Sequence, residues 1–172
     1  MTHQNISRFE EDIRNRTKEW CAVFSENGEK ILEKESIFED SHEVCKFNDS
    51  EFEKMKNQIL THNHPSRSPF STEDITLAVD AQLSELRVVT AKGTFSLKRN
   101  SNCWPEKTWI FVEFEKIENN CKPGLEQKFR DSAIHEGLDY SDHDWYIKNL
   151  IWKKISEPLE LQYQYEPYKL SI

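Results

Sequence analysis

Thr61-His62-Asn63-His64-Pro65-Ser66-Arg67-Ser68-Pro69-Phe70-Ser71-Thr72-Glu73-Asp74 gathers two histidines, a serine and an aspartate into one short run. Neutral imidazole and carboxylate are the usual partners of a catalytic zinc, which takes three protein ligands and leaves its fourth position to water. His62, His64 and Asp74 make such a set. Residues two apart on an extended chain face the same side, so His62 and His64 can aim ring nitrogens at one ion while Asn63 points away. Ile59 and Leu60 give the strand an apolar lead-in, and Pro65 removes a backbone donor and discourages further pairing. The histidines therefore fall at the mouth of a strand.

Downstream, Ile75, Ala78, Val79, Gln82, Leu83 and Leu86 follow the three-and-four spacing of an amphipathic helix that opens at Ser71. Asp74 then lies in its first turn. Ser71 as N-cap with Asp74 three residues on is also a capping box built with aspartate, a device of many helices that bind nothing. The histidine pair beside it is what capping does not require. Upstream, Trp20-Cys21-Ala22-Val23-Phe24 meets the turn signal Asn27-Gly28 and continues into Lys30-Ile31-Leu32, a β-hairpin pattern.

The order His-x-His-Pro, then Ser-x-x-Asp opening a helix, resembles the JAMM signature of the JAB/MPN zinc metalloproteases. The His-Asn-His-Pro-Ser form is that of prokaryotic, phage-borne and RadC-like members. One residue fewer separates His64 from Ser71 than in the best-known members, and Arg67 stands where glycine is common. The resemblance implies an α+β fold, JAB/MPN-like (cytidine deaminase-like), with a mixed sheet flanked by helices. It implies Zn2+ held by His62, His64 and Asp74. It also implies a glutamate far upstream, at the start of the first strand, that polarises the metal-bound water. Glu19 has that position; Glu10, Glu11, Glu26 and Glu29 fall in a helical segment or at the turn. By the same resemblance Glu19 is the general base, Ser71 bonds the oxyanion, and a peptide or isopeptide bond is hydrolysed. The substrate is then a protein or peptide, with a ubiquitin-like protein or its conjugate among the candidates. Two other readings stand beside this one: a noncatalytic MPN-like interaction or structural module, and a RadC-like protein of unknown activity.

With 172 residues the chain has the length of a single domain. The signature covers about residues 19–98, leaving a C-terminal extension of about 104–172. Charged residues make up 31% and mean hydropathy is −0.82, yet five tryptophans, ten phenylalanines and five tyrosines supply apolar bodies for a core. A net charge of −8 without a basic patch argues against a nucleic-acid partner. The N-terminal residues lack an apolar stretch and no segment is long enough to span a bilayer, so the expectation is a cytoplasmic protein without a membrane partner. Cys21, Cys45, Cys103 and Cys121 form no Cys-x-x-Cys pair and read as reduced, partly buried thiols.

Elsewhere, about Ser7 to Arg16 reads as a helix with Ile6, Phe9 and Ile13 on one side, and Asn48 starts a short helix through about Asn57. Leu86–Thr90 and Thr94–Lys98 form a second hairpin. In the extension, a helix with proline at its first turn follows Trp104-Pro105 and is interrupted at Pro123-Gly124. A second helix runs to Gly137, and Ser141-Asp142-His143-Asp144 caps a third. The alternation of Leu159, Leu161, Tyr163 and Tyr165 with polar residues predicts a final strand that closes a sheet edge or binds a partner. His135 and His143, with Asp139, Asp142 and Asp144 nearby, match no ligand spacing and read as structural.

Overall fold

The computed structural model describes residues 2–36 and 45–168. Helix α1 (Thr2–Ile13) is followed by strands β1 (Trp20–Phe24) and β2 (Lys30–Glu35), the short helix α2 (Asp49–Glu53) and strand β3 (Ile59–Asn63). Helix α3 (Thr72–Asp80) then leads into strands β4 (Glu85–Thr90) and β5 (Gly93–Arg99). Helix α4 (Lys107–Glu136), a 3-10 turn (Tyr140–Asp142), helix α5 (His143–Ile155) and strand β6 (Leu161–Pro167) complete the order.

Among the described residues six strands form one mixed sheet in the order β2-β1-β3-β4-β5-β6. All neighbours are antiparallel except β3 and β4, which are parallel. Parallel neighbours need a crossover, and α3 supplies it. The turn between β1 and β2 closes through Gly28, whose φ of 78° suits a residue without a side chain.

Alternation along the strands sorts side chains onto two faces. Cys21, Val23, Leu60, Leu86, Val88, Phe95 and Leu97 join Ile75 and Ala78 of α3, Ile110 and Leu125 of α4, and Ile151, Trp152 and Ile155 of α5 in the main core. Ala22, Phe24, Ile59 and Val89 face the other way and are covered by Ile6, Phe9 and Ile13 of α1. Under α1 the polar strand residues are paired: Arg87 binds both oxygens of Glu10, and Thr61 donates to the same carboxylate.

The extension departs from the sequence expectation in two ways. A single helix of 30 residues runs through Pro123 instead of stopping there. The proline removes the amide that would bond the carbonyl of Asn119, but this stretch is exposed and water can serve it, while Leu125 and Phe129 beyond are buried. Pro105 precedes the N-cap, Glu106, and so lies just outside the first turn. The final strand begins at Leu161 and pairs with β5 along its length, so the extension closes an edge of the same sheet that carries the signature. Asn48 caps α2 as expected, though the helix ends at Glu53.

The cysteines correct the reading of four reduced thiols. Cys21 and Cys45 form a disulfide across a Cα–Cα distance of 6.4 Å, whereas Cys103 and Cys121 are free. Among the described residues no helix is long and apolar enough to cross a membrane.

Candidate functional site

β3 is buried along its whole length, and its last residues carry the site. The pairing of β1 with β3 sets Cys21 opposite His62. Continued in the same antiparallel register, it brings Glu19 across from His64, just beyond the ladder. His62 and His64 share the face of the main core, and Glu19 lies on that face because it is two residues from Cys21. On the far side, the amide of His64 donates to the carbonyl of Val89, continuing the parallel pairing one residue past β3.

Asn63 points to the opposite face, as its position between the histidines requires. It is fully buried, and its side chain is spent on the segment that leads into β1. Its Oδ1 accepts from the amide of Trp20 at 2.7 Å, while Nδ2 donates to the carbonyls of Arg16 and Lys18 at 3.2 and 3.0 Å. Asn63 thus fastens the backbone that carries Glu19. Sequence reasoning assigned it no task; the signal was a polar side chain in a strand facing away from the candidate site, where burial obliges it to find partners.

α3 delivers Asp74. Ser71 caps the helix: its hydroxyl accepts from the amide of Asp74, and the Asp74 carboxylate accepts from the amide of Ser71. The Ser71 hydroxyl also donates to Asp74 Oδ2 at 2.8 Å. The capping box and the ligand reading therefore coexist, because the box holds the carboxylate in one orientation. In this arrangement the Ser71 proton is committed to Asp74, so an oxyanion role requires the hydroxyl to turn.

The three groups converge. His62 Nε2 lies 2.9 Å from His64 Nε2 and 2.9 Å from Asp74 Oδ1, and His64 Nε2 lies 3.2 Å from Asp74 Oδ2. Tetrahedral ligands about 2.0–2.1 Å from a metal stand about 3.3 Å from one another, so the donor spacing fits one ion. All three residues are buried, Asp74 completely. Despite its closeness to His62, Asp74 Oδ1 makes no hydrogen bond among the described residues and is left for a cation. The carboxylate of Glu19 stands 3.9 Å from His64 Nε2, with its side chain 10% exposed.

His64 is the better oriented imidazole. Its Nδ1 faces the carbonyls of Ser68 and Pro69 at 2.9 and 3.1 Å, which can only accept, so Nδ1 carries a proton. When the ring is neutral, its lone pair is therefore at Nε2, toward His62 and Asp74. For His62 the second nitrogen, Nδ1, is buried without a partner among the described residues.

Electrostatics make the same demand for positive charge. Burial disfavours a charged His64, but the hydrogen bond and charge of Asp74, with help from Glu19, overcome it and push its pKa up to about 9. Burial likewise opposes ionisation of Asp74, and the two imidazoles outweigh it, holding the carboxyl well below its ordinary range. At neutral pH the metal-free chain thus keeps an imidazolium against a carboxylate, and a metal ion would take the proton's place.

Outside this cluster, His143 pairs with Glu126 at 2.9 Å and packs edge-on against Phe129, a structural placement, and His135 is exposed. Among the described residues the grouping of His62, His64 and Asp74 is the one set of histidines, cysteines and carboxylates close enough to hold a metal. No protein-family model matches the chain, and no curated protein or solved structure matches it.

Proposed function

We propose that the chain is a zinc-dependent hydrolase of peptide or isopeptide bonds, of the JAMM type within a JAB/MPN-like (cytidine deaminase-like) fold. The observation that carries this reading is the meeting of two imidazole nitrogens and a capped, buried carboxylate, with a second carboxylate, Glu19, 3.9 Å from one of those nitrogens. His62 near the end of β3, His64 just past it and Asp74 in the first turn of α3 support this reading.

His62, His64 and Asp74 would hold the ion, which supplies Lewis acidity toward a carbonyl oxygen and toward water when bound. Glu19 acts as general base: its carboxylate takes a proton from the attacking water and returns it to the departing amine. A base within reach of the ligands but not fixed by a capping box suits that task, whereas Asp74 accepts two hydrogen bonds from Ser71 and is held as a ligand. Ser71 stabilises the oxyanion once its hydroxyl turns from Asp74, and loss of such a donor costs about a hundredfold or more in turnover. No covalent enzyme intermediate is involved.

The substrate is a protein or peptide, and a ubiquitin-like protein or its lysine-linked conjugate is the first to test. The experiment is a cleavage screen of the zinc-loaded chain against ubiquitin-like fusions, with a chelator control. Chelator-sensitive cleavage that disappears in Glu19→Gln supports the reading. Zinc binding with no hydrolysis across peptide and isopeptide substrates would turn it toward a noncatalytic module.

A further inference from the structure

The loop from Pro65 to Phe70 joins the two elements that carry the ligands, yet it contributes little to its own shape. Pro65 and Pro69 have no amide to donate. Among the described residues, the loop closes one backbone hydrogen bond, from Arg67 to the carbonyl of His64 at 3.3 Å. Arg67 has a φ of 65°, the left-handed region that glycine occupies without cost, so this backbone must be held by something else.

What holds it is the C-terminal extension. Lys148 of α5 donates to Ser68 Oγ at 3.1 Å. The Arg67 guanidinium donates to Ser141 Oγ at 3.2 Å and pairs with Asp142 at 3.6 Å. Asp142 is 3% exposed and its Oδ1 is also paired with Lys92 of the turn between β4 and β5, so two cations compensate its charge. Phe70 packs edge-on against Trp152 of α5 and Tyr163 of β6, with ring centroids 5.4 and 6.4 Å away. Ser68 is the link to chemistry: its side chain receives Lys148 while its carbonyl receives the Nδ1 proton of His64.

We propose that Lys148 and Asp142 are positioning residues of the metal centre, which lock the 65–70 loop so that its carbonyls keep His64 presenting Nε2 to the ion. The inference rests on the metal-site reading above. It gives the extension a role in the centre: the C-terminal segment braces the loop whose carbonyls meet the second nitrogen of a ligating histidine.

The test compares Lys148→Met, Lys148→Arg and Asp142→Asn with the parent chain. Zinc affinity is measured by competition with a chromogenic chelator, the visible absorption of the cobalt(II)-loaded protein is recorded, and the metal-free forms are melted. The expected result is a loss of zinc affinity of about tenfold or more in Lys148→Met and Asp142→Asn, with a changed cobalt spectrum. Lys148→Arg, which keeps a cationic donor for Ser68, restores both. Lys148 is partly exposed, so Lys148→Met should leave metal-free melting close to that of the parent, separating positioning from general stability. Parental affinity and an unchanged cobalt spectrum in Lys148→Met would overturn the inference while leaving the metal site intact. A parent chain that binds no zinc would instead remove the site and this inference with it. Should Asp142→Asn fail to fold, the two Lys148 variants decide.

Discussion

Replacing Asn63 with alanine separates the two halves of the proposed centre. The side chain makes three hydrogen bonds, all to backbone groups of residues 16, 18 and 20, and is itself fully buried. Each such bond contributes about 0.5–1.5 kcal/mol net, and a buried group left unsatisfied costs about 1–3 kcal/mol. Arg16 and Lys18 lie near the surface, where water can replace part of the loss, so the expected destabilisation is about 3 kcal/mol. For a chain of this length that lowers Tm by about 6–12 °C. The functional effect should be selective. The segment released carries Glu19, whereas His62, His64 and Asp74 are set by β3, the loop and α3. Asn63→Ala should therefore bind zinc with near-parental stoichiometry below its Tm while losing most of its hydrolysis. Calorimetric melting, metal analysis and single-substrate kinetics on one preparation measure all three. A variant that melts like the parent, or that loses zinc together with activity, would refute the assignment of Asn63 as the fastener of the Glu19 strand.

Other expectations follow from the same geometry. Glu19→Gln should keep one zinc per chain and lower kcat by about a hundredfold to ten-thousandfold, read by steady-state kinetics beside metal analysis; retained activity would show that another group is the base. Glu10→Ala strips Arg87 of its principal partner and leaves Thr61 without its acceptor under α1, which should cost about 3 kcal/mol in denaturant unfolding without changing zinc content. In the metal-free chain the folded pKa of His64 lies above its ordinary value, so protonation contributes stability that is fully present below about pH 6.5 and lost as pH rises through about 9. Melting of the metal-free protein should fall across that window, and a flat profile would show that Asp74 and Glu19 do not act on His64 as described.

Much of this was readable from residue types and spacing. The His62/His64 pair points one way because a strand has a period of two, and Ser71 with Asp74 forms a capping box by local chemistry alone. The placing of Glu19 had no local motif; the resemblance implied a glutamate at the start of the first strand of the hairpin, and the register of β1 against β3 brings Glu19 to His64. What escaped was tertiary. The Cys21–Cys45 disulfide depends on Cys45 lying beside β1, which spacing does not encode. Pro123 reads as a break because it lacks an amide, yet an exposed carbonyl tolerates that loss while Leu125 and Phe129 stay packed. The support of the 65–70 loop by Lys148 and Asp142 joins residues far apart in the chain, each of which looks like an ordinary surface charge or cap in isolation.

Whether His62, His64 and Asp74 hold a metal is decided by the zinc content of the purified chain after exhaustive dialysis, beside His62→Ala and Asp74→Ala variants shown to be folded. About one zinc per parent chain is expected, and almost none in either variant. A parent chain that holds no zinc, or variants that hold as much as the parent, would contradict it.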